Sequence, residues 1–316
     1  MISIGKKIID FGQDIYENYE MGFAEYRTRD KVEDIFRKLK LKVEVPLVLT
    51  GVKAVFMGKY EGSTLAILGE MDGLKCKDHP FSNTETNSAH ICGHNAQLTA
   101  MIVAAYALIN SKIQEELHGN VVFMATPAEE YVEIEKRQKL KKDNKIKYLA
   151  GKPELIRIGA FDDVDIALIT HVWSDIRHAR FGLGGSTNGF LAKRAYFVGK
   201  AAHAGGAPDK GRNALQAANI AINAINAWQE SFKDNHHIRV HPILTKAGSH
   251  VNIVPDQVKL ETYVRGKTLD SILETNKKVN QSLKAGAMAM GCKVIIDDTP
   301  GFLPQKSSSE LVDVIY

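Results

Sequence analysis

The stretch HICGHNAQ, residues 90–97, sets Cys92 and His94 two positions apart just ahead of an apolar run. In an extended segment that spacing points both side chains to one side. A thiolate and an imidazole both suit zinc-like ions. Alone, the pair also fits a buried thiol beside a polar turn, and Cys92 fits a nucleophile working with a distant histidine. Other segments add donors. TPAEE closes an apolar run with Glu129 and Glu130, ITHVWS closes another with His171, and LGEMDG a third with Asp72. Sheets of α/β proteins present ligand sites at such strand ends. Adjacent carboxylates there can split roles, one ligating a metal and one moving protons. Their bland alternative is a solvated helix start, where glutamate complements the dipole; that of His171 is a core histidine. A nucleophilic Cys92 leaves His94 and the glutamate pair without work, whereas metal chemistry uses all of them.

The elements that must hold these residues follow from periodicity. Residues 3–40 carry apolar side chains at helical spacing, predicting two helices. KAVFMGKY and STLAILGEMDG read as strands, and Gly62 with Ser63 between them predicts a hairpin. AQLTAMIVAAYALINS predicts a buried helix, GNVVFMATPAEE a strand stopped by Pro127, and DIALITHVWS a further strand. Strands alternating with helices predict an α/β layered sheet. From about residue 187 the order becomes strand, helix capped by Asn213, strand pair over VNIVPDQVKLETYVRG, long helix, and last strand CKVIIDD. This β-α-β-β-α-β order is the split ferredoxin-like arrangement. The expected organisation is 1–186 as the first part of a catalytic domain, 187–298 as an inserted domain, and 299–316 as the return.

Composition narrows the function classes. The 316 residues are 44% hydrophobic and 25% charged, ordinary globular values. The net charge of +4, from 41 basic and 37 acidic residues, is too small an excess to argue for nucleic acid. KRQKLKKDNKIK, residues 136–147, holds seven Lys or Arg in twelve, but no aromatic residues interleave them, and a solvated face is expected. Three scattered cysteines imply no disulfide framework and fit a reducing cytoplasm. No apolar stretch is long enough to span a bilayer.

Taken together, EMDGL, HICGHNAQLTAM, PAEE, GAFDDVDIALITHVW, GKAAHAGGAPDKGRNALQAA and NIVPDQVKLETYVRG resemble, in order, the aminoacylase/carboxypeptidase superfamily of metal-dependent amidohydrolases. The branch is that of indole-acetyl-amino-acid and p-aminobenzoyl-glutamate hydrolases. The resemblance implies a metallopeptidase-like α/β catalytic domain, a mixed sheet flanked by helices, and an inserted ferredoxin-like lid and dimerisation domain. It implies two divalent ions (Zn, Mn or Co) held by Cys92, His94, Glu130 and His171, with Glu129 as general base. Asp72 would hold a ligand in place. His203 would reach the active site of a partner subunit and stabilise the oxyanion, and Asn252 and Arg265 would hold the substrate carboxylate. The implied activity is hydrolysis of an N-acyl or N-aroyl amino acid by a cytoplasmic homodimer joined through its lid domains, without nucleic acid or membrane partners.

Three departures bear on that expectation. Asn95 stands where the branch usually has aspartate. A longer charged link, residues 131–156, follows the glutamate pair where relatives have a glycine-rich turn. The family continues for several tens of residues beyond the position of Tyr316, with one more histidine ligand, and no histidine follows His250 here. The C-terminal part of the catalytic domain is therefore expected to be missing. The alternative is a non-catalytic relative that binds acyl-amino acids without consuming them.

Overall fold

The computed structural model describes residues 4–85, 87–173 and 181–316. Met1–Ser3, the start of the expected first helix, and Ser174, the end of the expected strand DIALITHVWS, lie outside them. The chain forms two compact units, Met1–His178 and Ala179–Tyr316.

In the first unit the elements run α1 (Ile4–Glu17), α2 (Tyr26–Lys38), β1 (Lys42–Leu47), β2 (Gly51–Met57), β3 (Tyr60–Glu70), β4 (Leu74–Lys75), β5 (Ser88–Ala89), α3 (His94–Ser111), β6 (His118–Thr126), α4 (Ile134–Lys142), α5 (Gly151–Arg157) and β7 (Ile166–Ile169). The sheet order is β1-β2-β6-β3-β7. β6 and β7 both lie parallel to β3, while β1, β2 and β6 pair antiparallel. Both faces are covered. Val121, Phe123 and Ala125 join Ile15, Phe36, Leu98 and Ile102 on one side. Val122 and Met124 join Ala66, Leu68 and Leu155 on the other. That double burial is why β6 reads as an unbroken apolar run rather than an alternating one.

The expected hairpin between β2 and β3 does not form; β6 lies between them. The reason is visible at the two glycines of the connection. The Gly58 amide donates to the Gly119 carbonyl at 3.1 Å. A Cβ on Gly62 would stand 2.8 Å from the Gly119 nitrogen. These glycines make room for the incoming strand rather than shaping a turn. β3 and β6 are instead joined by the crossover through α3, as parallel strands require. Strand β1 carries no signal that the sequence reading used.

Parallel strands end at the same edge, so the segments after β3, β6 and β7 emerge together. The tight turn after β6 is clasped from three sides. Glu25, fully buried, accepts from the Ala128 amide at 2.7 Å and from the Thr50 hydroxyl at 2.5 Å. The Gly151 amide donates to the Ala128 carbonyl at 3.0 Å. Ala128 itself has φ +47°, a left-handed conformation that a non-glycine residue holds only when its surroundings impose it. The basic run is only partly the solvated face expected. Arg137 of α4 is buried, donating to the Leu149 carbonyl at 2.8 Å and lying 5.4 Å from the centre of the Phe23 ring.

The second unit contains β8 (Ser186–Thr187), β9 (Gly189–Val198), α6 (Ala214–Ala227), β10 (Arg239–Val240), β11 (Ile243–Lys246), β12 (Gln257–Gly266), α7 (Leu269–Ala289), β13 (Lys293–Pro300), β14 (Gln305–Lys306) and α8 (Ser309–Ile315). Its main sheet is antiparallel in the order β10-β12-β9-β13, with β11 also on β12. This is the ferredoxin-like arrangement read from the sequence. Asn213 caps α6, accepting from the Leu215 and Gln216 amides, and α6 gives way to a 3-10 turn at Trp228–Ser231. VNIVPDQVKLETYVRG supplies one strand, not two. Pro255 has no amide to donate, and the partners of β12 come instead from β9, β10 and β11. Among the described residues no helix is long and apolar enough to cross a membrane.

The core of the second unit rests on close helix contact. A Cβ on Gly286 of α7 would overlap the Ala217 carbonyl oxygen and reach the Ala221 nitrogen at 2.8 Å, both on α6. Gly286→Ala is expected to destabilise this unit by about 1–3 kcal/mol, the usual cost of overpacking. A fall in the denaturation midpoint checks it; an unchanged midpoint would show that the helices separate freely.

Glu25 makes the first unit sensitive to pH. Burial, with the neighbouring Asp72 charge, raises its carboxyl from the usual 4.5 to about 7, against the hydrogen bonds from Thr50 and Ala128. The folded state thus keeps this proton to higher pH than the unfolded chain. The associated stability is complete below the unfolded value and is lost as pH rises through the folded one. Urea midpoints of metal-free protein are expected to fall across about pH 5 to 8. Glu25→Gln, which cannot ionise, should flatten that decline; a slope identical to wild type would refute the assignment.

Candidate metal centre

The site is built where β3, β6 and β7 end. Gly93 takes φ +76° and leads into α3, whose first residue is His94. A Cβ at Gly93 would collide with the Val172 side chain. Cys92 and His94 therefore flank a left-handed glycine turn, not the extended segment expected from their spacing. The turn, rather than strand alternation, brings their side chains together.

Three donors converge at this point. Atoms of Cys92, His94 and His171 all lie within 4.8 Å of one another. Cys92 Sγ is 3.4 Å from His171 Nε2. His171 Nδ1 faces the Val172 carbonyl at 2.8 Å, and His94 Nδ1 faces the Asp72 carbonyl at 2.8 Å. A carbonyl oxygen only accepts, so both Nδ1 atoms carry a proton, and both Nε2 atoms are the ones that face the other donors. In a second triad, atoms of Glu70, His94 and Glu129 also lie within 4.8 Å of one another. Glu129 Oε2 and Glu130 Oε1 each lie 4.0 Å from His94 Nε2.

Asp72 organises this group. Its two carboxylate oxygens accept from the backbone amides of Glu129 and Glu130, each at 3.0 Å. Gln97 ties the strand ends to α3, accepting from the Glu70 amide at 2.7 Å and donating to the Thr170 carbonyl at 2.5 Å. The Asn95 amide turns the other way and donates to the Gly12 carbonyl at 3.4 Å.

The electrostatics are those of crowded, buried carboxylates. Burial raises the Glu129 carboxyl to about 7, helped by the charge of Glu70 and opposed by Lys152. Burial also raises Glu130, with His94 pulling the other way. Glu70 is driven down to about 2: burial opposes its charge, but His94 and Lys152 outweigh it. Burial disfavours a charged His94, yet Asp72, Cys92 and Glu70 hold its imidazole far above the usual range. Burial, with the neighbouring His94, lowers His90 to about 4.

These residues fit a bound metal. His94 Nε2 is buried and has no aligned hydrogen-bond partner among the described residues, although Glu70 Oε2 lies 3.1 Å away. An orphaned nitrogen beside a thiol, a second imidazole and carboxylates is a donor set for a borderline-soft divalent ion. Sequence reasoning missed Glu70, Lys152, Glu25 and His90. Glu70 ends the apolar run two residues before Asp72, a position that could have been read; Lys152 was hidden in the charged link.

The other expected site residues belong to the second unit. His203 is exposed and its Nδ1 accepts from the Gly205 and Gly206 amides at 3.2 and 2.9 Å, leaving Nε2 as the donor. Asn252 is exposed, its carbonyl accepting from the Ala204 amide at 2.9 Å. Arg265 lies 5.5 Å from the Phe190 ring centre and 5.2 Å from that of Tyr263.

Comparison with known proteins agrees with this architecture. Residues 185–289 match the peptidase dimerisation domain family. The chain is 31% identical over 230 residues to human Xaa-Arg dipeptidase, covering 69% of this chain and 46% of that protein. It is 26% identical over 258 residues to the indole-3-acetyl-aspartic acid hydrolase of Enterobacter agglomerans, covering 78% of this chain and 54% of that one. The chain thus spans about half the length of these two relatives. The crystal structure of the aminobenzoyl-glutamate utilization protein from Klebsiella pneumoniae superposes with a TM-score of 0.72 at 20% identity, covering 98% of this chain and 79% of that one. Residues 185–289 thus form a peptidase dimerisation domain of the M20 type, and with its separate α/β unit the chain as a whole is similar to dipeptidases and amidohydrolases.

Proposed function

We propose that this chain carries the metal centre of an enzyme that hydrolyses the amide bond of an N-acyl or N-aroyl amino acid. The observation that supports this most directly is the convergence of Cys92, His94 and His171 beside the Glu129–Glu130 pair. In this reading two divalent ions are held by Cys92, His94, Glu130 and His171, and Zn, Mn or Co suits the donors. Bound there, divalent ions supply Lewis acidity toward the amide carbonyl and lower the pKa of water.

The protein residues do the rest. Glu129, with a carboxyl near neutrality, takes a proton from water and returns it to the departing amine. Asp72 fixes both glutamates through their backbone amides and fixes the His94 ring through its carbonyl. His203 of a second copy, joined through the dimerisation domain, donates Nε2–H to the developing oxyanion, a contribution typically worth about 3 kcal/mol. Arg265 and Asn252 grip the substrate carboxylate, a task suited to the fork of a guanidinium. The division into 1–186, an inserted 187–298 and a returning 299–316 belongs to the same proposal.

Two experiments test it. Protein of full natural length, loaded with Mn, Zn or Co, is expected to hydrolyse p-aminobenzoyl-glutamate or a member of an N-acyl amino acid panel. Absence of turnover on all of them with metal demonstrably bound would favour a relative that only binds such ligands. Glu129→Ala should cut kcat by a hundredfold or more, in the range of lost general-base catalysis at about 10²–10⁴. Its metal content, read by elemental analysis, should stay near wild type. Metal lost together with activity would reverse the roles of Glu129 and Glu130.

A further inference from the structure

His94 has one ring nitrogen to give. Nδ1 is committed to the Asp72 carbonyl at 2.8 Å, so an ion in either donor triad must use Nε2. A nitrogen lone pair serves one ion at a time. The Cys92–His171 triad and the Glu70–Glu129 triad therefore compete for the same atom. If the carboxylate triad won, Glu129 would become a ligand and lose its freedom to move protons.

Lys152 stands on the losing side. It is the second residue of α5. Its ammonium hydrogen-bonds Glu70 Oε1 and lies 3.7 Å from Glu129 Oε1. Its side chain is only 28% exposed. The position is fixed by backbone: Gly151 is bonded to the Ala128 carbonyl, one residue before Glu129. A Cβ at Gly151 would overlap the Pro127 carbonyl, so α5 starts in tight contact with the glutamate turn. A lysine delivered from this start is placed against the two carboxylates that a competing cation would need.

We propose that Lys152 is a built-in counter-cation that keeps metal off the Glu70–Glu129 carboxylates, reserving His94 Nε2 for Cys92 and His171 and Glu129 for proton transfer. The inference rests on the metal-site reading above. Its basis is charge exclusion: one fixed cation occupies the carboxylates, and a second of higher charge is repelled by it. Lys152 is a positioning residue in this scheme, acting through Glu70 and Glu129.

The test is cobalt binding to the metal-free full chain, followed by equilibrium dialysis and by the thiolate-to-cobalt absorption that Cys92 alone can give among the donors. Wild type is expected to bind with that absorption. Lys152→Met and Lys152→Gln should each bind the same number of ions but with a markedly weaker thiolate absorption, because a carboxylate triad at least tenfold tighter, the scale on which groups behind the ligands tune metal affinity, then draws the ion through the shared His94 Nε2. Glu70→Gln added to Lys152→Met should restore the absorption, and Lys152→Arg should behave as wild type. A thiolate absorption equal to that of wild type in both neutral variants would overturn the role of Lys152 alone. A weakened absorption that persists with Glu70→Gln would also overturn it, since the ion would then have moved elsewhere. Wild type lacking the thiolate absorption would overturn the metal-site reading itself.

Discussion

Everything at this site hangs on Asp72. Its carboxylate takes the amides of Glu129 and Glu130, and its carbonyl takes the proton of His94 Nδ1. One residue thereby joins the end of β3, the turn after β6 and the start of α3. Hydrogen bonds to a charged acceptor contribute about 1.5–3 kcal/mol each, and a buried donor left without a partner costs a comparable amount. The bond to His94 also selects which nitrogen faces the other donors. The geometry of the glutamates and the tautomer of the histidine are consequently not independent choices; both follow from where Asp72 sits.

The cost of this arrangement is electrostatic. Glu25, Glu70, Asp72, Glu129 and Glu130 all gather around the turn, and burial raises three of them. Part of the compensation comes from the segment that, in sequence, looks most like surface. The charged link after the glutamate pair sends Arg137 into the interior and Lys152 onto Glu70. Arg137 gains from the charges of Asp72 and Glu25 although burial works against it. The charged link thus divides: most of its lysines and arginines remain in solvent, and two supply cations that the buried carboxylates require.

That division explains what could be read from the sequence. The ends of apolar runs announced Asp72, Glu129, Glu130 and His171 because parallel strands must finish at one edge. The ferredoxin-like unit was legible because its strands and helices follow one another with clear periodicity and caps. Pairing between distant strands was not legible. Nothing local in KAVFMGKY or STLAILGEMDG shows that β6 will lie between them; the information is in Gly58 and Gly62, which are small for the sake of Gly119. Lys152 was illegible for the same reason, because its partners are 82 residues and 23 residues away in sequence and are met only after folding.

The two adjacent glutamates show how little sequence is needed to separate chemical roles once neighbours are fixed. Both are tied to Asp72 by identical 3.0 Å backbone bonds, and both carboxylates reach to 4.0 Å from His94 Nε2. They differ in what else they face. Glu130 lies with Cys92 and His94, which favour its charged form and oppose the burial that raises it. Glu129 lies with Glu70 and Lys152, one opposing its charge and the other supporting it, and comes to rest near neutrality. A carboxyl balanced in that way accepts and releases a proton with little cost in either direction, which is the requirement for general acid and base work. The proposed assignment of base to Glu129 and ligand to Glu130 therefore depends on the pair's surroundings and not on the motif. The surroundings in turn depend on the lysine that α5 brings to the first glutamate and not to the second.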